Sequence, residues 1–228
     1  MYQDLFDEQR QTAMRQYFLQ NLAGQGIIRR YQRRELIDLS LLQDCFAIVC
    51  KGKVVKSILS SSGQEKLLYT LRPGEIFGEM AMLNGGFLNY QARVKEDCEL
   101  ACISRELLAK NRAADAKVHD YIMNSITRKF RIVLLQLTNT TFNDAHGRIA
   151  DLLIRLAACA DDLEDECDGR TISTHFTQQE LAQNAGCSRI TVSRTLQRFS
   201  QENLITISKK RIVIKDLEGL ARYTDRVQ

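Results

Sequence analysis

Two runs of helically spaced apolar residues, separated by Ala185-Gly186-Cys187-Ser188, constrain this chain more than any other feature. Leu181 and Ala182 belong to the first run; Ile190, Val192, Leu196 and Phe199 belong to the second. A turn this short makes the two helices cross, and Gly186 supplies the backbone freedom that the crossing needs. Thr177 is placed to cap the first helix, and Glu180 completes a capping box with it. The stretch "TIST" before the pair reads as a strand, and "NLITISKKRIVIKD" after it as two strands joined by a basic turn. The segment is therefore predicted to be a winged helix-turn-helix.

The second helix carries the chemistry. Ser188, Arg189, Thr191, Ser193 and Arg194 are polar and lie at its N-terminal end. Helix-turn-helix proteins present that end to base edges in the major groove. Arginine there bonds guanine bidentately, whereas serine and threonine are permissive. In the wing, Lys209, Lys210 and Arg211 are expected to meet phosphates, adding salt-dependent affinity without sequence information. Charge is distributed accordingly. From Arg170 to the C-terminus, ten Lys/Arg stand against five Asp/Glu, a surplus of +5 beside +4 for the whole chain. The remainder is close to neutral. The competing reading is a winged helix used only for protein contacts.

Upstream, from about Ile27 to Ile103, the period shortens. "CFAIVCKGKVVKSIL", "KLLYTL" and "CELACI" are short β-branched and apolar runs between turn residues, as in a sandwich or barrel. "RPGEIFGEMAMLNGG" interrupts them with the sole proline and four glycines, and reads as a loop with a short helical turn. From about Ala113 to Thr140 the pattern is helical. A heptad-like seam runs through His119, Met123, Ile126, Phe130, Val133, Leu137 and Thr140, which predicts a parallel helix pair. The alternative is that this stripe packs on its own barrel, and a helix this long is expected to do both on different faces. Asp144 is a suitable cap for "AHGRIADLLIRLAACA", and the acidic "DDLEDECDG" reads as a loop or a solvated helix end.

Composition excludes other classes. No apolar run approaches the ~20 residues of a membrane span, and the charged, amphipathic N-terminus lacks a signal-peptide core. A cytoplasmic protein without membrane attachment is expected. Seven cysteines lie scattered without CxxC pairs, and the three histidines stand far from clustered thiols, so no metal site is expected. Reduced core thiols are the simplest reading. Cys98 and Cys102 share a strand face but lie too far apart for a direct disulfide, roughly 13 Å. No nucleophile–base pairing or P-loop is present, so no catalytic residue is assigned and an enzyme is not expected.

"GRIADLLIRLA", "FTQQELAQNAGCSRITVSRTLQRFSQENLI" and "PGEIFGEMAML" resemble the cyclic-AMP receptor/FNR family of bacterial transcription regulators. The resemblance covers nearly the whole chain. It implies an α+β protein with an N-terminal β-roll (a cyclic-nucleotide-binding-like jelly roll) over 1–112, a dimerisation helix over 113–141 and a winged helix-turn-helix over 142–228. It also implies a homodimer on a near-palindromic inverted repeat of double-stranded DNA, an effector in the roll, and RNA polymerase as the expected protein partner. Arg189 and Arg194 match reading-helix arginines, Ser193 a base-contacting position, and Gln178 and Gln179 positions near phosphates. Ile190 departs from the family: well-known members carry glutamate there, accepting from cytosine N4. Isoleucine can instead pack on a thymine methyl, which shifts preference towards A/T-rich sites; a buried structural role is the rival reading.

In the roll the resemblance implies an arginine followed by serine or threonine for a cyclic phosphate. Those places hold Asn89 and Tyr90, although Gly78 and Glu79 are retained. Arg93, three residues past Tyr90, should point to the opposite strand face. The helix positions that would meet adenine hold Val133 and Leu134. Burying a cyclic phosphate without cation or hydroxyl is costly, so cyclic AMP is disfavoured. An iron–sulfur cluster lacks its N-terminal cysteines, and haem lacks a histidine ligand in the roll. The expected pocket is mixed aromatic and apolar, lined by Met80, Met82, Tyr90, Ile126, Phe130 and Val133, with the cofactor unknown. Alternatives are an effector-independent or thiol-redox-controlled regulator or, in a different class, a cyclic-nucleotide-binding module of another protein.

Overall fold

The computed structural model describes residues 7–42, 44–85, 90–158, 165–166, 169–172, 177–208 and 211–225. Of the described residues, those from Asp7 to Ile132 form one compact unit and those from Val133 onward another. The N-terminal unit begins with α1 (Glu8–Tyr17), capped by Asp7, whose side chain accepts from the Arg10 amide at 2.9 Å. The helix continues as a looser π-helical stretch, Phe18–Leu22, and a tighter 3-10 turn, Ala23–Gln25. Its buried residues, Gln11, Met14, Phe18 and Leu22, recur every three or four positions, the spacing of one helix face.

Strands β1 (Ile27–Tyr31), β2 (Cys45–Leu59), β3 (Glu65–Leu71), β4 (Ile76–Phe77) and β5 (Tyr90–Ser104) form a sheet ordered β1-β5-β2-β3, with β4 pairing β2. Both faces of β2 and β5 are covered, which explains why "CFAIV" and "ACI" are apolar without a break. One face carries Ala47, Val49, Val54, Leu71, Phe77, Ala92, Val94, Leu100 and Cys102, the interior of the roll. The other face carries Phe46, Ile48, Ile76, Ala101 and Ile103, packed with Phe18, Leu108, Val118 and Ile122 in a helical layer.

The parity of β2 flips between Val49 and Val54, where its pairing with β5 is irregular on both sides of Lys51 and at Lys53. Gly52 makes this possible: its φ is +78°, and a Cβ there would overlap the Asp97 carbonyl. As a result Val54 and Lys56 point inward, where strict alternation from Ala47 and Val49 would send them out.

The stretch with the sole proline holds more than a loop. It forms β4 and, after Gly78, the helix α2 (Glu79–Asn84). The helical stretch expected from Ala113 begins earlier and is broken. Helix α3 (Arg105–Ala114), capped by Ser104, ends at Asp115, and α4 (Lys117–Phe142) follows. Asp115 serves the break, accepting from the Lys117 amide at 2.9 Å and the Tyr17 hydroxyl at 2.7 Å. The inward face of α4 within this unit is Val118, Ile122, Ser125 and Lys129.

Lys129 and its neighbour Arg128 bind the loop between β3 and α2. Lys129 Nζ donates to Glu79 Oε1 at 2.6 Å and to the Ile76 carbonyl at 2.7 Å. Arg128 pairs with Glu75 at 2.8 Å, and Glu75 also accepts from the Arg72 amide at 2.9 Å.

In the C-terminal unit, α5 (Ala145–Ala158) is capped by Asp144, which accepts from the Gly147 amide at 2.8 Å. Helices α6 (Gln178–Ala185), α7 (Arg189–Gln201) and α8 (Leu217–Ala221) surround it. The strands β6 (Asp165–Glu166), β7 (Gly169–Ile172), β8 (Ile205–Ser208) and β9 (Arg211–Ile214) form a sheet ordered β6-β7-β9-β8. The acidic segment therefore contributes a short strand, because Asp165 and Glu166 pair with Arg170 and Gly169. Ile149, Leu153, Leu181, Val192, Leu196, Phe199, Ile205 and Ile214 share one core.

Replacing Lys129 by Ala would leave Glu79 buried without its counter-ion. A loss of about 3–5 kcal/mol is expected in chemical denaturation. The double replacement Lys129→Met with Glu79→Met should recover much of it, since neither member of the pair is then left without the other.

Candidate functional site: the reading helix and the β-roll interior

Thr177 and Glu180 form the capping box that starts α6, with reciprocal bonds of 3.1 and 2.8 Å. Gly186 ends α6 with φ +64°. Arg148 of α5 holds this turn, its Nε donating to the Ala185 carbonyl at 2.9 Å and an Nη to the Gly186 carbonyl at 3.4 Å. Ser188 caps α7, accepting from the Thr191 amide at 3.0 Å. Its hydroxyl lies 2.8 Å from that of Thr191, so Thr191, half-buried, is engaged in the cap.

Arg189, Ile190, Ser193 and Arg194 are exposed on the first turns of α7, and Gln178 and Gln179 are exposed at the start of α6. Ile190 is 63% exposed, which removes the rival reading of a buried structural residue. The apolar contacts of α7 are made by Val192, Leu196 and Phe199 instead. Gln197, exposed two helical turns after Ile190, shares its face and was not singled out from sequence. In the wing, Ser208 pairs with Arg211, which is exposed; Lys209 and Lys210 lie outside the described residues.

The apolar pocket expected in the roll is not assembled as drawn. Met80 is exposed on α2, while Met82 and Ile126 belong to the helical layer, on the other side of the sheet from the roll interior. Phe130, Val133 and Leu134 are exposed in the single chain, and Asn89 lies outside the described residues. The physical reason is the inward face of α4, which presents Ser125 and Lys129 rather than the seam residues. Of the seam, His119, Met123, Phe130, Val133, Leu137 and Thr140 are exposed and Ile126 is half-buried.

What the interior does hold is a cation. Lys56, 3% exposed, sits opposite Ala92 on β5 and Tyr69 on β3. Its Nζ has no hydrogen-bond partner. It lies 3.6 Å from the centre of the half-buried Tyr90 ring and 5.4 Å from that of Phe77. One oxygen of the buried Glu79 is also without a hydrogen bond. Burial pushes the Lys56 ammonium down to about 7; Glu79 opposes the shift and Lys129 adds to it. Sequence reasoning passed over this residue, and the available signal was a lone lysine within the apolar "VVKSI".

The cysteines separate by face. Cys98 and Cys102 are buried in the roll interior with Cys45 packed against them, whereas Cys50 packs on the helical layer. Cys45 and Cys102 are diagonal neighbours across β2 and β5 with hydrogen-bonded thiols. Burial pushes both Cys45 and Cys98 up to about 11, which keeps them protonated and poorly reactive.

Comparison with known proteins places this geometry. Residues 29–114 match the model of the cyclic nucleotide-binding domain, and residues 147–223 that of the Crp-like helix-turn-helix domain. The cAMP-activated global transcriptional regulator CRP of Haemophilus influenzae is 32% identical over 167 residues, 73% of each chain. A CRP-like cAMP-activated global transcriptional regulator of Mycobacterium tuberculosis is 29% identical over 180 residues, 78% of this chain and 79% of that one. Among solved structures, a CooA variant from Carboxydothermus hydrogenoformans superposes with a TM-score of 0.77 at 18% identity, covering 90% of each chain. The c-di-GMP responsive global regulator CLP of Xanthomonas campestris gives 0.74 at 22% identity, covering 91% of this chain and 99% of that one. A fold and reading head of this kind define a winged-helix transcription regulator with a cyclic-nucleotide-binding-type domain. The chain belongs to the CRP/FNR family. That family consists of transcription regulators rather than enzymes, and among the described residues no helix is long and apolar enough to cross a membrane.

The lowered Lys56 value sets a pH dependence. Between 7 and the 10.5 of an unperturbed lysine, the unfolded chain binds the proton that the folded chain has released. Stability therefore rises with pH across that window, and below pH 7 the full cost of burying the charge is present. Thermal denaturation of Lys56→Met should show a higher midpoint than the parent at pH 6 and a flatter profile between pH 7 and 9.

Proposed function

We propose that the chain is a homodimeric, sequence-specific regulator that binds an inverted repeat through α7, with DNA binding controlled by a ligand of the β-roll other than cyclic AMP. The observation that carries this reading is the exposed row Arg189, Ile190, Ser193 and Arg194 on a helix fixed by two caps and by Arg148. The arginines offer bidentate donors to guanine, and Ile190 offers methyl groups where a carboxylate would accept from cytosine. A preference for A·T at that step of each half-site follows. Gln178, Gln179 and Arg211 flank the row and serve phosphates.

The dimer reading rests on α4. Met123, Phe130, Val133, Leu134 and Leu137 are large apolar side chains exposed in the single chain, Phe130 at 62%. A second copy of the helix at heptad register covers such a stripe. Two reading heads related by a twofold axis match a palindromic site, and RNA polymerase is the protein partner that a promoter-bound regulator of this kind engages.

Selection of bound fragments from random DNA by the purified, reduced protein tests the reading. One A/T-rich inverted repeat is expected, either from the free protein or after addition of its ligand. Arg194→Ala should lose about 1–3 kcal/mol of specific binding while non-specific binding falls less. Ile190→Glu should move the preferred base at one step towards C; an unchanged consensus would remove Ile190 from the reading set. Sedimentation of Phe130→Asp is expected to show monomers, and a variant that stays dimeric would mean the other face of α4 is the seam.

A further inference from the structure

We infer that the interior of the β-roll is built to receive a compact monoanion, with Lys56 as its counter-ion. This rests on the reading of the roll as a sensor and names the charge of what it senses.

The charges facing this space decide the sign. Lys56 comes from β2, Glu79 from α2 and Lys129 from α4; the facing phenols are Tyr69 of β3 and Tyr90 of β5. Glu79 is answered by Lys129 at 2.6 Å. Lys56 is then the cation in surplus when protonated, and one negative charge balances it. A dianion would leave a buried charge uncompensated, which is strongly disfavoured.

Hydrogen bonding points the same way. A lysine ammonium has three donors, and Lys56 uses none of them in a hydrogen bond while 97% removed from solvent (3% exposed). The Tyr90 ring at 3.6 Å gives a cation–π contact but no acceptor. An apolar side chain would serve the core better at this position, so the ammonium is costly unless something accepts from it. An uncharged ligand would leave most of that cost in place. A carboxylate or phosphodiester oxygen would remove it and raise the proton affinity of Nζ, so binding above pH 7 takes up a proton.

Ala92, opposite Lys56 on β5, has a small side chain, and Tyr90, half-buried at the start of β5, forms the cover over Nζ. For the anion to reach the ammonium, that ring has to turn aside. Phe77 and Tyr69 then flank the anion with flat apolar surface.

The test uses iodide, a monoanion with no shape requirement. Crystals of the full-length protein are soaked in sodium iodide and anomalous density is collected. A peak at ion-pair distance from Lys56 Nζ, lost in Lys56→Met crystals, is the expected result. Iodide found at surface lysines with none at Lys56 would overturn the proposal. Soaks with added dimethyl phosphate or benzoate then distinguish a phosphodiester from a carboxylate, according to which displaces the peak. Uncharged benzamide displacing it as well as benzoate would sink the charge requirement. DNA selection on the same preparation is scored separately: failure there removes the regulator reading, while iodide at Lys56 alone decides the anion site.

Discussion

Two adjacent cations on α4, each closing on a buried carboxylate of the loop below it, are the contact on which the rest of the N-terminal unit depends. Arg128 takes Glu75 and Lys129 takes Glu79, two acids four residues apart on either side of β4. Both carboxylates are almost wholly removed from solvent, so neither tolerates the loss of its partner. The pairs fix where β4 and α2 lie, and they spend Glu79 on a structural partner. Lys56 is thereby left as the unanswered charge of the roll.

The winged helix was legible because its signals are local. A capping box, a glycine in a four-residue turn and a run of apolar residues at helical spacing each act within a few residues, and Thr177, Glu180 and Gly186 stand as those rules require. The roll interior was not legible for the opposite reason. Whether Lys56 points in or out depends on the irregular pairing around Gly52, where β2 changes parity, and period-two reading carried across that point gives the wrong face. The pocket drawn from sequence failed in the same way. Met82 and Ile126 have the right chemistry for an apolar site, but a sheet covered on both sides has two apolar faces, and they belong to the outer one. The break at Asp115 escaped notice because no glycine or proline marks it; a hydrogen bond from Tyr17, 98 residues earlier in the chain, helps to hold it.

An exposed isoleucine at the start of a DNA-facing helix is less odd than it looks. Capping uses the hydroxyls of Ser188 and Thr191, and packing uses Val192 and Leu196, so Ile190 is released from both duties. Methyl contact with thymine discriminates by shape and desolvation, with no hydrogen bond to lose. On the proposed reading it refuses the wrong base less sharply than a carboxylate does, and the burden of discrimination shifts to Arg189 and Arg194 on either side.

The grip of Arg148 on the carbonyls of Ala185 and Gly186 has a consequence for control. It binds the turn of the helix pair to α5, the central helix of its own core, so α7 cannot tilt without breaking that grip and the packing of Phe199. The reading head moves as one piece or not at all. On the proposed function, a signal received by the roll thus changes how often an operator is occupied, while the sequence that is read stays constant. Evolution of a new signal and evolution of a new binding site become separate problems in a protein built this way.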